Sequence, residues 1–467
     1  MSRVRLENKI LLIIFVFFFI LPNNFVLAAF TPQIKIFNSH LNLLSEHPLG
    51  NLSSFDITRL DLGGDGIDEI AIASGEYNRP MVYILRVDGT EINRFLAYGE
   101  DFEGGVNITA CDLDGDAKDE IITGAGFGGS PHVRVFNGYG QPKLTVGFFA
   151  GDEQSQTGVK VACGDINRDG KNEIITGCLT NKGVSINFFA KEGNFLGGGF
   201  IVSDLKKDFD LETVDLGGDG VSEIIVAGGK GEKPWVKIFR ADGSLINEFM
   251  VYGDDFFGGI NLACKDKDGD GREEIIVGAG RLAGPHLRVF DGYGSLMNEL
   301  FVFDSNFRGG VQSVIGNFDN LNIDQEILSV PNYTPVGRED LEKYVEIDLS
   351  EQNLSYYQDG LLLGRNIVST GRSGYETPKG EFSILSKNLK AWSKICHLWM
   401  PYWMEYYQSP KGWNLGFHEL PIWPNGAREG ENSLGQKVSG GCIRLGIGPA
   451  EELYNWAEIG TPVIIHE

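Results

Sequence analysis

The sequence predicts a mainly β protein: a six-bladed β-propeller followed by a smaller, mostly β domain. Three observations predict it. Acidic loops begin at Asp61, Asp112, Asp165, Asp215 and Asp266, in steps of 51, 53, 50 and 51 residues. Each loop runs into a short apolar strand, from Ile70–Ala73 in the first copy to Ile327–Val330 in the last. A second kind of strand also recurs, from Ile34–Phe37 to Leu287–Phe290. Several short strands per repeat of this length indicate a propeller or a solenoid. The count favours the ring. The first copy begins with a strand of the second kind and lacks one of the first, and the last copy has the reverse deficit. Pairing the two ends completes one blade and leaves no long sheet edge exposed.

Length and composition agree. A chain of 467 residues exceeds one ordinary core. Its 63 glycines suit a turn-rich β protein. The formal charge of −24 argues against nucleic acid as a partner. Most of the acid falls before residue 343. Carboxylates concentrated in Gly-rich loops suggest bound cations or simple solubility, and composition does not separate the two.

Taken in order, residues 1–29 carry Arg3, Arg5 and Lys9, an apolar run from Ile10 to Leu21, and small residues at Val26-Leu27-Ala28. This is the plan of a secretory signal peptide, with an uncleaved membrane anchor as the alternative. Either reading exports the protein to the cell envelope or beyond.

Residues 30–333 form the repeat. Tyr98 and Tyr252, Asp112 and Asp266, and His132 and His286 are each 154 residues apart, as if three units were duplicated as a block. The repeated histidines suggest packing or turn roles. The acidic loops share a nine-residue register, with oxygen donors at alternating positions and a glycine near position six, a pattern able to wrap Ca²⁺. The candidate ligands are Asp112, Asp114, Asp116 and Glu120; Asp165, Asn167, Asp169 and Glu173; and Asp266, Asp268, Asp270 and Glu274. Two further loops, Asp61, Asp65 and Glu69 and Asp215, Asp219 and Glu223, have glycine at position three, where water would replace a ligand. A sixth loop around Asp319 is degenerate. With Phe-x-Gly-Gly segments such as Phe102–Gly105 and Phe307–Gly310, the array resembles FG-GAP-type calcium-binding repeats, as in the propeller of integrin α chains. Calcium in such loops is expected to be structural.

Residues 334–342 read as a linker, and the pattern changes at 343. From there to 467 the chain has short strands, one helix over Pro449–Ala457 and a closing strand at Thr461–Ile465. Cys442 follows Gly440-Gly441, and His418 lies 24 residues upstream. A thiol needs a nearby base to become a nucleophile at neutral pH, and histidine is the usual one. A buried structural cysteine is the competing reading of these two residues alone.

The surroundings favour chemistry. The segment Ser439–Leu445, S-G-G-C-I-R-L, resembles the signature of L,D-transpeptidases, which cross-link peptidoglycan through a cysteine. Further matches fall in order at Ser369–Arg372, Thr377–Phe382, Met400–Met404, Leu415–His418 and Leu453–Ile465. The resemblance implies a β-sandwich-like catalytic fold, Cys442 as nucleophile and His418 as base. It places the main-chain N–H groups of Gly441 and Cys442 at the oxyanion, Ser439 as a site-shaping hydroxyl, and Arg444 as an orienting cation or the partner of a nearby Glu. It implies peptidoglycan stem peptides as partners and no cofactor for catalysis. The propeller would then bind or localise the enzyme, on the wall or on a surface protein. Two departures stand out. The family often has His at the position of Gly440, and often Gly at that of Glu419, whose carboxylate either acts on His418 or faces solvent. An adhesion or scaffold protein with a silent domain and an L,D-carboxypeptidase are the alternative functions.

Six cysteines in an exported chain invite disulfides. Cys111 and Cys264, at equivalent repeat positions, read as small buried hydrophobes, while Cys163 and Cys178 flank one loop and could bridge.

Overall fold

The computed structural model describes residues 33–467 apart from 39–40, 49–54, 267–270, 281–282, 304–306, 319–325, 332–337, 339–340, 359–360 and 410–412. The expected leader, the degenerate sixth loop, most of the linker, and Asp268 and Asp270 lie outside the described residues.

Six four-stranded antiparallel sheets form the blades. In the first, Phe55–Leu60, Glu69–Ser74, Met81–Leu85 and Glu91–Leu96 run outward in sequence order. The innermost strands are Phe55–Leu60, Val106–Cys111, Lys160–Gly164, Phe209–Val214, Ile260–Lys265 and Val311–Gly316. Each neighbours the next, and the last neighbours the first, which closes the ring. The closing blade is composite. Val311–Gly316 and Glu326–Pro331 supply its inner half, and Gln33–Phe37 and Leu43–Pro48 its outer half. Ile36 faces Leu328 across the seam.

The second strand of each blade is sandwiched by neighbouring blades, so it reads as an apolar run rather than an alternation. Glu120–Ala125 and Glu274–Ala279 are buried along their whole length. Ile70, Ile121, Ile174, Ile224 and Ile275 are fully buried. The outer strand Glu91–Leu96 has one wet face and mixes polar with apolar residues. The repeated histidines stack on outer-strand rings, His132 on Phe149 at 4.8 Å and His286 on Phe301 at 4.4 Å.

Cysteine pairing departs from the sequence reading. Cys111 is joined to Cys163 by a disulfide, so it is not merely a small hydrophobe, and Cys163 does not bridge to Cys178. Both partners sit on innermost strands of adjacent blades, with Cα atoms 6.5 Å apart. Packing of one blade against the next brings these strands together. Cys178 and Cys264 are free.

The C-terminal domain packs two sheets face to face. One has the order Leu361–Ile367, Asn353–Gln358, Lys343–Asp348, Pro462–His466, Gly380–Ser383. The other has Ser386–Ser393, Leu398–Gln408, Asn414–Glu419, Ile443–Leu445. Val345, Ile347 and Leu354 from the first meet Met404, Tyr406, Phe417 and Ile443 from the second in one core. The helix Pro449–Trp456 plugs its side with Ala450 and Leu453. The expected β-sandwich is present.

Candidate active site

The strand Asn414–Glu419 runs parallel to Ile443–Leu445, with Phe417 opposite Ile443 and His418 opposite Arg444. Leu415, Phe417, Ile443 and Leu445 point into the core. Successive side chains alternate faces, so His418 and Arg444 share the opposite face. Cys442 immediately precedes the strand Ile443–Leu445, within reach of the Gly416 N–H on the neighbouring strand.

His418 is 3% exposed. Its Nδ1 lies 2.6 Å from the Glu419 main-chain oxygen. A carbonyl only accepts, so Nδ1 carries the proton and Nε2 keeps its lone pair. Burial pushes the imidazole pKa down to about 4, with the Arg444 charge acting in the same direction and the Glu419 carbonyl opposing. The ring lies against Trp403, centroids 6.1 Å apart and 26° between planes. Gly416 makes room for that indole: a Cβ there would come within 2.6 Å of the Met404 carbonyl and 2.8 Å of the Trp403 ring. Sequence reasoning missed Trp403 and Gly416 as parts of the site, because the aromatic crowd upstream gave no sign of which ring would face His418.

Cys442 is free and partly exposed. Burial raises its thiol pKa to about 11, while the Gly416 N–H and the Arg444 charge draw it down. Taken singly, each group favours its neutral form at pH 7.

The turn before Cys442 is held from three sides. The fully buried Ser439 hydroxyl donates to the Cys442 carbonyl at 2.6 Å and accepts the Gly441 N–H at 3.0 Å. Thr377 Oγ1 and Tyr406 OH donate to the Gly441 carbonyl, at 3.0 and 3.4 Å. Gly441 sits at φ 107°, a conformation that glycine tolerates best. Ser439 thus shapes the site as expected, but the Gly441 N–H is committed to it. The expectation that this N–H faces an oxyanion does not hold. Thr377 belongs to a matched segment, yet its contact with Gly441 spans 64 residues and was not legible.

Glu419 is also corrected. Its carboxylate neither faces solvent nor touches the imidazole: the residue is 4% exposed and pairs with Arg428. Arg444 donates from Nη1 to Glu429 at 2.7 Å, while its Nε is buried without a hydrogen-bond partner. Of the two roles expected for it, the structure has the ion pair with a nearby Glu. Gly440 is exposed, and a Cβ there would meet nothing within 4 Å.

The acidic loops lie in the propeller. Asp112, Asp114 and Asp116 each offer an oxygen within 4.8 Å of the others. Lys143 Nζ reaches the same loop, 2.7 Å from Asp114 and also against Glu120. Position one accepts loop N–H groups, as Asp165 does from Arg168 at 2.6 Å and Gly170 at 2.7 Å. Position nine accepts the N–H of position two, as Glu120 does from Leu113, Glu173 from Ile166, Glu69 from Leu62 and Glu223 from Leu216. Asp61 and Asp215 repeat the first pattern through Gly66 and Gly220. Asp266 does so through Gly271.

Comparison with known proteins divides the chain in the same way. Residues 342–465 match the family model YkuD, described as the L,D-transpeptidase catalytic domain. A solved L,D-transpeptidase from Stackebrandtia nassauensis is 28% identical, covers 27% of this chain and 56% of its own, and has a TM-score of 0.22. An Enterococcus faecium L,D-transpeptidase variant is 27% identical, with 27% and 50% covered and a TM-score of 0.21. This chain thus spans about half the length of each of those two structures. Integrin alpha pat-2 of Caenorhabditis elegans is 28% identical over 183 residues, which is 38% of this chain and 12% of the integrin. The chain therefore carries an L,D-transpeptidase catalytic domain of the YkuD family behind a propeller of FG-GAP-type repeats.

Proposed function

We propose that this protein is an exported peptidoglycan L,D-transpeptidase. The observation that carries the reading is the His418 tautomer: Nδ1–H is tied to the Glu419 carbonyl, which leaves the Nε2 lone pair free, and Cys442 immediately precedes the strand that pairs with the strand of His418. The Cys442 sulfur attacks the carbonyl carbon of a stem-peptide diamino acid followed by D-alanine, and His418 Nε2 takes the thiol proton. A C–S bond forms and the carbonyl oxygen becomes an oxyanion. The Cys442 N–H is the donor assigned to it, since the Gly441 N–H is held by Ser439. Collapse breaks the C–N bond, and D-alanine leaves with the proton from His418. An amine from a second stem then attacks the thioester, and the thiol regains its proton.

The leader-like N-terminus and the Cys111–Cys163 disulfide support export to an oxidising compartment. The propeller is assigned a binding or localisation role on the wall or a surface protein. Calcium suits the hard oxygen donors of its loops. Asp112, Asp114, Asp116 and Glu120, and Asp165, Asn167, Asp169 and Glu173, would hold it, with Asp266 and Glu274 in the fifth loop. There it would brace the loops and take no part in the reaction.

The test is mass spectrometry of the full chain after incubation with muropeptides. A stem-peptide adduct that disappears in Cys442→Ala, with cross-linked products, is expected. Shortened stems without cross-links would identify a carboxypeptidase. No Cys442-dependent adduct would leave a silent scaffold.

A further inference from the structure

A cavity of about 950 Å³ lies where the axial mouth of the propeller meets the C-terminal domain. Neither Cys442 nor His418 lines it. Its propeller wall is a ring with one polar residue from each innermost strand: Asp56, Asn107, Lys160, Asp210, Asn261 and Gln312. In the first five blades the residue lies five positions before the first acidic-loop aspartate, so the ring comes from one repeat position occupied six ways.

The ring is rich in acceptors. One N–H of the Asn107 carboxamide donates to the Val159 carbonyl at 2.8 Å, and one of Asn261 to Val311 at 2.9 Å. Lys160 is engaged by Asp210 at 3.5 Å. Gln312 Oε1 is buried without any hydrogen-bond partner.

Charge narrows the choice. Beyond the ring, Glu76, Glu103, Asp208 and Glu452 line the cavity, opposed by Lys207, Lys230 and Arg365. Carboxylates outnumber cations, so a polyanion such as a phosphate or sulfate polymer is disfavoured. Lys160 inside the ring disfavours a bare metal ion. What fits is a neutral or amino-bearing molecule with many hydroxyl donors. Phe127, 69% exposed, also lines the cavity, and an exposed aromatic ring is of the kind that stacks on sugar C–H groups. The volume lies at the upper end of the roughly 300–1,000 Å³ typical of small-molecule sites, room for a short oligosaccharide.

The C-terminal domain forms the opposite wall through Arg365 and Glu452. The domains meet at the rim: the Arg365 N–H donates to Tyr77 OH at 2.9 Å, and Lys230 Nζ lies 3.6 Å from Glu452. A molecule in the cavity touches both.

We propose that this cavity is a saccharide site that takes a neutral or amino-substituted oligosaccharide between the propeller and the C-terminal domain. The inference does not rest on the transpeptidase reading, because its test measures binding alone. Full-length protein is titrated calorimetrically with the N-acetylglucosamine tetramer, and with dextran sulfate as the polyanion. Saturable binding of the tetramer is expected, weakened at least tenfold in both Gln312→Leu and Phe127→Ala and unchanged in Cys442→Ala. Melting curves of the two binding variants should overlay the wild type, which separates lost binding from lost fold. Absence of saturable tetramer binding would overturn the proposal. So would tetramer binding that both variants leave intact, or saturable binding of dextran sulfate alone.

Discussion

A neutral Cys442–His418 pair makes a prediction that an ion-paired dyad would not. With the thiol near 11 and the imidazole near 4, the thiolate fraction at pH 7 is on the order of 10⁻⁴. Moving the proton from sulfur to Nε2 before attack would cost at most on the order of 10 kcal/mol, at about 1.4 kcal/mol per pKa unit, less the attraction between the two charges it creates. A turnover of about 10 s⁻¹ corresponds to a barrier near 16 kcal/mol, so separate thiolate formation would consume a large share of it. Proton transfer should therefore accompany C–S bond formation. Iodoacetamide, which carries no proton-transfer partner, reads the resting thiolate. Its rate at Cys442, followed by peptide mass spectrometry to set aside the exposed Cys396, should rise about tenfold per pH unit from 7 to 10. His418→Ala should leave that rate nearly unchanged at pH 9, yet cut stem-peptide acylation by roughly 10²–10⁴. The acylation rate itself should hold through neutrality and fall only as pH drops toward 4, where His418 protonates. An alkylation plateau already reached below pH 7 and abolished in His418→Ala would show a thiolate–imidazolium pair and refute the reasoning.

Other variants test other parts of the structure. Ser439→Ala strips partners from the Cys442 carbonyl and the Gly441 N–H; at about 1–3 kcal/mol for each stranded group it should lower the melting temperature and slow acylation together, and an unchanged acylation rate would remove Ser439 from the site. Burial in the propeller channel, reinforced by nearby acids, raises the Glu212 pKa to about 8. The folded state keeps a proton that the unfolded chain releases above about 4.5, so stability should fall as pH rises from 4.5 to 8. The loss is at most about 5 kcal/mol, less wherever channel water reaches the carboxylate. Glu212→Gln should melt above wild type at pH 9 and match it at pH 4, and an equal difference at both would contradict the burial. Removing calcium with a chelator should lower the melting temperature by the several degrees that about 2.7 kcal/mol per site at a hundredfold excess over Kd implies; a melt indifferent to chelator would remove the ion from the loops. Cys111→Ser with Cys163→Ser opens a loop of 52 residues and should cost about 4 kcal/mol by loop-closure entropy, read as a lower urea midpoint.

What the sequence determined by itself was everything carried by local period and by matched short segments. The loop-then-apolar-strand unit marked each blade, because a strand buried on both faces must be mostly apolar, as Ile121 and Ile122 show in Glu120–Ala125. The unequal ends of the array called for the composite blade in which Ile36 meets Leu328. Cys442, His418 and Ser439 stood out as candidates because the proposed chemistry restricts residue type. Tertiary structure decided whatever depends on which distant strands meet. The Glu419 carboxylate was drawn to Arg428, since a buried charge needs a counter-charge. The Gly441 N–H was taken by Ser439 because the turn folds back on its own hydroxyl. Cys111 found Cys163 across the boundary between two adjacent blades, which exists only once the blades pack. The axial ring from Asp56 to Gln312 is the extreme case: six residues spread over the repeat become one surface through closure alone. Local pattern sets which face of a strand is buried, but the partner on that face is set by long-range packing, and hydrogen bonding and charge compensation act between partners.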